Sequence, residues 1–225
     1  MEEVKHYHGH RKRLKERFFL APESSPDYEL LELVLFAAIP RSDVKPLAKR
    51  LISEFGSVAA VFNASRERMS MVHGVTTRVQ IVFKVVNECV RRVLLSRLQK
   101  GIVLSSWTAL IDYLRSTMGF IATEQFRIFF LDRHNALIAD ELQKTGTVDQ
   151  TPVYPRELLK KIIYYDASAI IIAHNHPSGK VEPSSGDLKV TQQIVQACQS
   201  IGVSLHDHIV ISGKEYYSFR ANGLL

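Results

Sequence analysis

Cysteine is scarce in this sequence, since Cys89 and Cys198 are the only two among 225 residues. They lie far apart and in different kinds of segment. Two lone thiols cannot build the disulfide framework of a small secreted domain. We therefore interpret both as ordinary packed or surface thiols, and we expect the protein to work in a reducing cytoplasm.

Long apolar runs are lacking as well. No stretch approaches the roughly 18–20 apolar residues that a membrane-spanning helix requires. The basic segment 1–19 has no apolar core of the signal-peptide type. We therefore expect no membrane contact. With 46% hydrophobic and 23% charged residues, the chain can bury a core, and its length fits one large domain or two small ones.

The net charge of +6 is unevenly distributed. Residues 1–100 contain 18 Lys and Arg against 11 Asp and Glu, a balance of +7, whereas residues 101–225 contain 11 against 12, a balance of −1. A basic half can attract a polyanion such as nucleic acid, because Lys and Arg release the counterions of phosphates. A solvated basic surface that keeps the protein soluble explains the asymmetry equally well.

Residues 27–100 have the pattern of a helical module. A first helix is predicted over residues 27–39, with Asp27 as its N-cap and Pro40 at its end. A second is predicted over residues 44–55 and a short third from about residue 58. A turn at Gly74 then precedes a long amphipathic helix with a buried stripe of Val79, Val82, Phe83 and Val86.

Beyond residue 102 the hydrophobic pattern changes, and strands alternate with helices. Runs with strand character cover residues 126–132, 136–143, 169–174 and 208–213, and helices are predicted over residues 107–118, 155–166 and 188–202. Such alternation indicates an α/β domain with a mixed sheet. We therefore predict two domains, a helical module at residues 1–101 and an α/β domain at residues 102–225.

The stretch IIIAHNHPSGKVEPSSGD, residues 170–187, carries the strongest chemical signal. His174 and His176 are two residues apart on a strand and so share one face, and Asp187 follows near the start of a helix. Two imidazoles and a carboxylate form a three-ligand zinc site with a fourth position for water, whose pKa falls to about 7. Alternatively, the histidines are polar residues at a sheet rim, because His-x-His also occurs elsewhere in the chain.

The spacing His-x-His, seven residues, Ser, two residues, Asp resembles the JAMM (MPN+) metalloprotease motif, here at His174, His176, Ser184 and Asp187. Over its whole length the chain resembles the bacterial RadC family, in the stretches HGHRKRLKERF, DYELLELVLFAAIPRSDVKPLAKRL, GTVDQTPVYPREL, AHNHPSG and DHIVI. The resemblance implies a JAMM/MPN-type α/β domain with a mixed sheet, preceded by a small helix-hairpin-helix-like domain. It also implies that the two histidines and Asp187 bind zinc.

Further roles are implied by the same resemblance. Glu124 would take a proton from the attacking water and pass it to the leaving amine, unless it is a solvated carboxylate at a strand start. Ser184 would stabilise an oxyanion or cap a helix. Asp207 and His208 match a late Asp-His pair, which would orient a ligand imidazole or form a cross-sheet hydrogen bond. Asn175 points to the opposite face of the strand and is interpreted as structural.

The segment SMVHGVTTRVQIVFKVV resembles a helix-hairpin-helix element, whose glycine-bearing turn offers N–H groups to a nucleic-acid phosphate. Gly74 fits the first glycine, Thr76 replaces the second, and Arg78 supplies charge nearby. The alternative is a small helical bundle used for packing or partner contact. The basic run at residues 11–17 can follow phosphates or stay solvated, and any DNA contact would be to the backbone.

These features together predict a cytoplasmic zinc-dependent hydrolase that uses a metal-activated water on an amide, peptide or isopeptide bond. Two alternatives stay open: a metal-dependent enzyme acting on DNA, and a non-enzymatic protein associated with DNA repair or recombination. The expected partners are an unidentified peptide or protein substrate and non-specific DNA bound by the N-terminal module. Exposed sheet edges are compatible with a homodimer.

Overall fold

The computed structural model describes residues 7–99, 103–143 and 155–225. The chain divides into two compact units, Met1–Cys89 and Val90–Leu225. The predicted domain boundary between residues 101 and 102 lies outside the described residues, as does most of the stretch GTVDQTPVYPREL. Within the described ranges, no helix is both long enough and apolar enough to cross a membrane.

The first unit is helical, as the sequence predicts. Its helices are α1 Tyr7–Leu20, α2 Asp27–Ala38, α3 Lys45–Phe55, α4 Val58–Asn63, α5 Arg66–Met71 and α6 Thr77–Gln99, which continues into the second unit. A 3-10 turn, Pro22–Ser24, follows α1.

Local sequence accounts for most of the helix ends in this unit. Gly56 ends α3 in the left-handed conformation, with φ +85°, and the Ser57 hydroxyl caps α4 by accepting from the Ala60 amide. One expectation is wrong: Pro26, not Asp27, is the N-cap of α2, and no side chain caps that end. Asp27 is instead the first helical residue, where its negative charge faces the positive end of the helix dipole.

The second unit is an α/β domain around a five-stranded sheet. Its strands are β1 Phe126–Leu131, β2 Leu137–Gln143, β3 Ala169–Asn175, β4 Ser204–Ser212 and β5 Glu215–Ser218, and its helices are α7 Trp107–Thr117, α8 Pro155–Tyr164 and α9 Ser185–Gln199, with a 3-10 helix Val103–Ser106 before α7. The strand order is β2-β1-β3-β4-β5, in which β3 and β4 are parallel and every other pair is antiparallel. The predicted mixed sheet is confirmed.

Both faces of the sheet centre are covered. Every residue of β1 and of β3 is buried, which explains why β3 reads as an unbroken apolar run. One face packs on α7 through Leu110 and Leu114, and the other packs on α8 and α9 through Leu158 and Ile194. Two buried polar residues, His174 and Asn175, lie at the end of β3, before the chain turns towards α9.

Two glycines bring α7 against the turn between β4 and β5. The Gly213 amide donates to the Gly119 carbonyl at 2.6 Å. A Cβ atom added to Gly119 would lie 2.5 Å from the Gly213 carbonyl oxygen and 2.9 Å from that of Arg115. No larger residue fits there without backbone movement, so Gly119 fixes the path of the chain as it leaves α7 towards β1.

Candidate metal centre

The carboxyl end of β3 presents two histidines to one face of the sheet. His174 pairs with Phe126 of β1, and the two rings stack with an interplanar angle of 8°. His174 is buried, whereas His176, two residues on, is partly exposed. Because alternate residues of a strand share a face, both imidazoles project to the same side at the point where the strand ends.

The pairing of β1 with β3 also orders the chain before β1. The Asn175 amide donates to the Gln125 carbonyl at 3.3 Å, so the antiparallel register continues one residue beyond β1. Continuing that register sets Glu124 opposite His176, on the face that carries both histidines. In agreement, the charge of Glu124 is among the causes that raise the pKa of His176.

The N-terminus of α9 supplies a carboxylate to the two imidazoles. The Nε2 atoms of His174 and His176 are 3.0 Å apart, and the Asp187 oxygens lie 3.2 Å from the first and 3.4 Å from the second. Ligand atoms around a tetrahedral zinc, at about 2.0–2.1 Å from the metal, are separated by about 3.3 Å. The spacing of the three side chains matches that geometry.

A hydrogen-bonded chain begins at Thr191, one turn into α9. Its hydroxyl oxygen lies 2.6 Å from the Asp187 carbonyl oxygen. Because a carbonyl can only accept, the hydroxyl hydrogen must lie between these two atoms. The same hydroxyl oxygen is 2.6 Å from Nδ1 of His208. Thr191 has no second hydrogen to give, so Nδ1 of His208 carries the proton and donates.

The tautomer of His208 decides which nitrogen of His174 donates to it. Burial lowers the pKa of His208 well below its ordinary value, so the ring is neutral and its Nε2 is an acceptor. Nδ1 of His174 lies 2.8 Å from this atom and therefore donates to it. In the neutral form of His174, the Nε2 atom therefore carries the lone pair, and this atom faces Asp187.

His176 is held in the same tautomer by a different partner. Its Nδ1 lies 2.9 Å from the Lys180 carbonyl oxygen and donates to it, because the carbonyl has no hydrogen to give. The Ser212 hydroxyl donates to the His176 carbonyl at 2.6 Å and fixes its backbone. When both rings are neutral, each histidine thus directs an Nε2 lone pair towards the same point.

Ser184 holds Asp187 in a capping box at the start of α9. Its amide and hydroxyl both donate to Asp187 Oδ2 at 2.7 Å, and its hydroxyl accepts from the Asp187 amide at 3.2 Å. Burial raises the pKa of Asp187, but the imidazoles of His174 and His176 outweigh burial and hold this pKa well below its ordinary value. Oδ1 of this carboxylate remains directed at His174.

With both rings neutral, three acceptor atoms converge on one point: two imidazole lone pairs and one carboxylate oxygen. Such a cluster is repulsive unless a positive charge lies between its members. A proton can provide that charge, since the hydrogen bond with Asp187 raises the pKa of His176. The three ligand atoms all lie within 4.8 Å of one another, and nitrogen with carboxylate oxygen is a donor set for a divalent metal ion. The cluster fits such an ion.

Known proteins with similar sequences identify the family of this chain. Residues 104–224 match the RadC-like JAB domain family. A UPF0758 protein of Ruegeria pomeroyi is 50% identical over 217 residues, which cover 96% of this chain and 97% of that protein. A UPF0758 protein of Rhodobacter capsulatus is 52% identical over 213 residues, which cover 94% and 100%. The chain belongs to the RadC family.

In this RadC family chain the two residues of the late Asp-His pair, Asp207 and His208, have different partners. His208 contacts the candidate ligand His174, whereas Asp207 faces the C-terminal turn. The buried carboxylate of Asp207 accepts from the Ser218 hydroxyl at 2.5 Å and from the Arg220 amide at 3.0 Å. His206 lies apart from the centre and bonds Asn135 at 2.6 Å.

Thr191 and Asn175 were not predicted to support the RadC centre. Thr191 lies four residues after Asp187 on α9, so helical spacing makes the two neighbours, but only the packing of α9 against β4 reveals its imidazole partner. Glu124 was predicted and lies close to His176. Among the described residues, no side chain or amide hydrogen-bonds its carboxylate.

The residues predicted to contact DNA lie in the helical unit. Gly74 takes φ +92° in the turn between α5 and α6, and Arg78 is exposed in the first turn of α6. Two cations of the basic run in α1 serve internal packing: Arg17 pairs with the buried Glu29, and Arg11 donates to the Ile39 carbonyl at 2.7 Å. DNA binding by this unit stays a prediction.

Proposed function

We propose that this RadC family protein is a zinc-dependent hydrolase of amide bonds, of the metallopeptidase or isopeptidase type. The observation that carries the proposal is the convergence of three acceptor atoms at the carboxyl end of β3, with the carboxylate of Glu124 beside them. His174, His176 and Asp187 would hold the ion. A bound zinc ion would act as a Lewis acid and lower the pKa of a coordinated water to about 7, which supplies a nucleophile at neutral pH.

Glu124 would perform the proton transfers of the reaction. Amide hydrolysis requires that a proton leave the attacking water and that the departing nitrogen receive one. A carboxylate next to His176 that has no described hydrogen-bond partner is available to accept the first proton. The protonated Glu124 would then donate to the leaving amine, which returns the carboxylate to its starting state.

Ser184 would serve the same reaction in two ways. In the resting protein its hydroxyl hydrogen lies towards Asp187 Oδ2, which directs the other carboxylate oxygen to the metal position. The proposed oxyanion role requires this hydrogen to turn from Asp187 to the substrate oxygen. That turn costs one charge-assisted hydrogen bond and replaces it with another to the developing negative charge.

The substrate would be a peptide or protein in the cytoplasm. Zinc-loaded protein should cleave members of a panel of fluorogenic peptides and isopeptide-linked substrates, and a chelator should abolish the cleavage. Glu124→Gln should retain zinc and lose about 10²–10⁴-fold in turnover, because it removes the general base. Glu157→Gln is the matched control, since Glu157 pairs with Lys160 at 2.8 Å on the surface of α8.

The proposal fails if no peptide or isopeptide bond is cleaved in a chelator-sensitive manner, or if Glu124→Gln and Glu157→Gln behave alike. A panel of single-stranded and duplex DNA, tested in parallel, distinguishes amide hydrolysis from the alternative of DNA cleavage. Chelator-sensitive cleavage of DNA alone would favour a nuclease.

A further inference from the structure

Asn175 lies between the two histidines, but its side chain points to the other face of the sheet. It is 1% exposed. Its Nδ2 donates to the carbonyls of Ile121 and Thr123, both at 3.1 Å, and its Oδ1 accepts from the Gln125 amide at 2.9 Å. One amide side chain therefore hydrogen-bonds every second residue, 121, 123 and 125, of the segment that leads into β1.

The hydrogen-bonding capacity of this amide is matched closely to the segment. Both Nδ2 hydrogens have carbonyl acceptors, and Oδ1 has an amide donor, so burial of the polar group is compensated. An aspartate of the same shape would set a carboxylate against two carbonyl oxygens, and an aliphatic residue would leave two carbonyls and an amide without this partner. The geometry is specific for an amide.

The clamped segment, residues 121–125, contains Glu124. Its backbone neighbours Thr123 and Gln125 are both bonded to Asn175, so the φ and ψ angles around Glu124 are restrained from either side. The same strand that presents His174 and His176 to the metal position thus also holds the proposed general base. Hydrogen bonds of Asn175 on one face of the sheet thus restrain the position of Glu124 on the other face.

We propose that Asn175 is a positioning residue that fixes Glu124 relative to the metal centre without contacting metal or substrate. The proposal rests on the proposed role of Glu124. Asn175→Ala should leave zinc affinity within about threefold of the wild type, because His174, His176 and Asp187 keep their own partners. Turnover should fall by about 100-fold, the loss expected when a catalytic group is displaced by about 1 Å.

A double-mutant cycle distinguishes positioning from general loss of structure. If Asn175 acts through Glu124, the double variant Asn175→Ala/Glu124→Gln should be no slower than Glu124→Gln alone. Losses that multiply would overturn the proposal. Asn87→Ala is the matched control, because the Asn87 amide joins α6 to the Phe62 carbonyl at 3.1 Å in the helical unit, and its turnover should be unchanged.

Two readouts do not depend on knowing a substrate. Amide hydrogen exchange in residues 121–125 should accelerate by about tenfold or more in Asn175→Ala, and unchanged exchange would refute the clamp. In cobalt-substituted protein, the pH midpoint of the visible spectrum should move in Glu124→Gln and in the same direction in Asn175→Ala. A shift in Glu124→Gln that is absent in Asn175→Ala would refute positioning.

The outcomes separate this proposal from the proposed function. If Glu124→Gln changes neither turnover nor the cobalt spectrum, the hydrolase proposal fails on its general base, and the assignment of Asn175 as its positioning residue falls with it. Faster exchange would then show only a structural clamp. Should Asn175→Ala unfold, Asn175→Ser keeps a small polar group at the position and is tested in the same way.

Discussion

At the scale of single residues, the direction of hydrogen bonds determines what the centre can bind. The Thr191 hydroxyl has one hydrogen, which lies towards the Asp187 carbonyl. This choice makes His208 a donor through Nδ1 and an acceptor through Nε2, and it sets the tautomer of His174. A threonine that hydrogen-bonds none of the three candidate ligand side chains thereby orients a nitrogen lone pair of neutral His174 towards the metal position.

Replacing this hydroxyl should weaken metal binding. Thr191→Val keeps the side-chain shape but leaves His208 Nδ1 without its acceptor, so zinc affinity should fall by about 10–100-fold. Thr117→Val is the control, because the buried Thr117 hydroxyl makes the same kind of bond to the Tyr113 carbonyl, at 2.7 Å, within α7. Competition with a chelating fluorophore measures both, and equal affinities would contradict the relay.

The sequence predicts those parts of the centre that spacing alone determines. A separation of two residues on a strand is enough to bring His174 and His176 together. The position of Asp187 near the start of a helix explains why its carboxylate can face them. The roles of Thr191 and Asn175 depend on which backbone and side-chain atoms the fold sets against them. Those neighbours are 17 residues away for Thr191 and about 50 for Asn175, and local patterns carry no signal over such distances.

At the scale of elements, the centre depends on how β1, β3 and α9 meet. β3 brings the imidazoles, α9 brings Asp187, and the chain before β1 brings Glu124. The elements with strong apolar periodicity were predicted, whereas α1, the short helix α5 and β5 were not. Leu14 is the one fully buried apolar side chain of α1 among those described, and two further residues of α1, His10 and Arg17, contact the buried carboxylates of Glu32 and Glu29. β5 has four residues, too few to show alternation.

Gly119 tests how tightly these elements are joined. Gly119→Ala should destabilise the α/β unit by about 1–3 kcal/mol, because the new methyl group would press on the carbonyl oxygens of Gly213 and Arg115. Ser116→Ala, in the last turn of α7, should change stability by less than about 0.5 kcal/mol. Urea denaturation followed by circular dichroism measures the difference, and equal midpoints would show that the close approach relaxes freely.

At the scale of the whole molecule, the chain combines two units with different chemistry. All three candidate ligands belong to Val90–Leu225. A metal bound there stabilises the state that binds it, by about 2.7 kcal/mol when free zinc is 100 times the dissociation constant. The helical unit contributes no ligand to this cluster, so the metal should not stabilise it directly.

Calorimetry should therefore show a zinc-dependent transition. Zinc should raise the melting temperature of the α/β unit, and a chelator should reverse the change. The separately expressed α/β unit would identify the transition if both units melt together in the full chain. A melting temperature that is independent of zinc in wild-type protein would contradict a site formed only by the folded state.

The most direct test of the metal centre is the metal content of the purified protein after equilibration with zinc and removal of loosely bound ions. We expect about one zinc per chain in the wild type. His206→Ala should match it, because His206 bonds Asn135 away from the centre, and the double variant His174→Ala/His176→Ala should hold close to none. Wild-type protein without zinc, or a double variant that retains a full equivalent, would contradict the account.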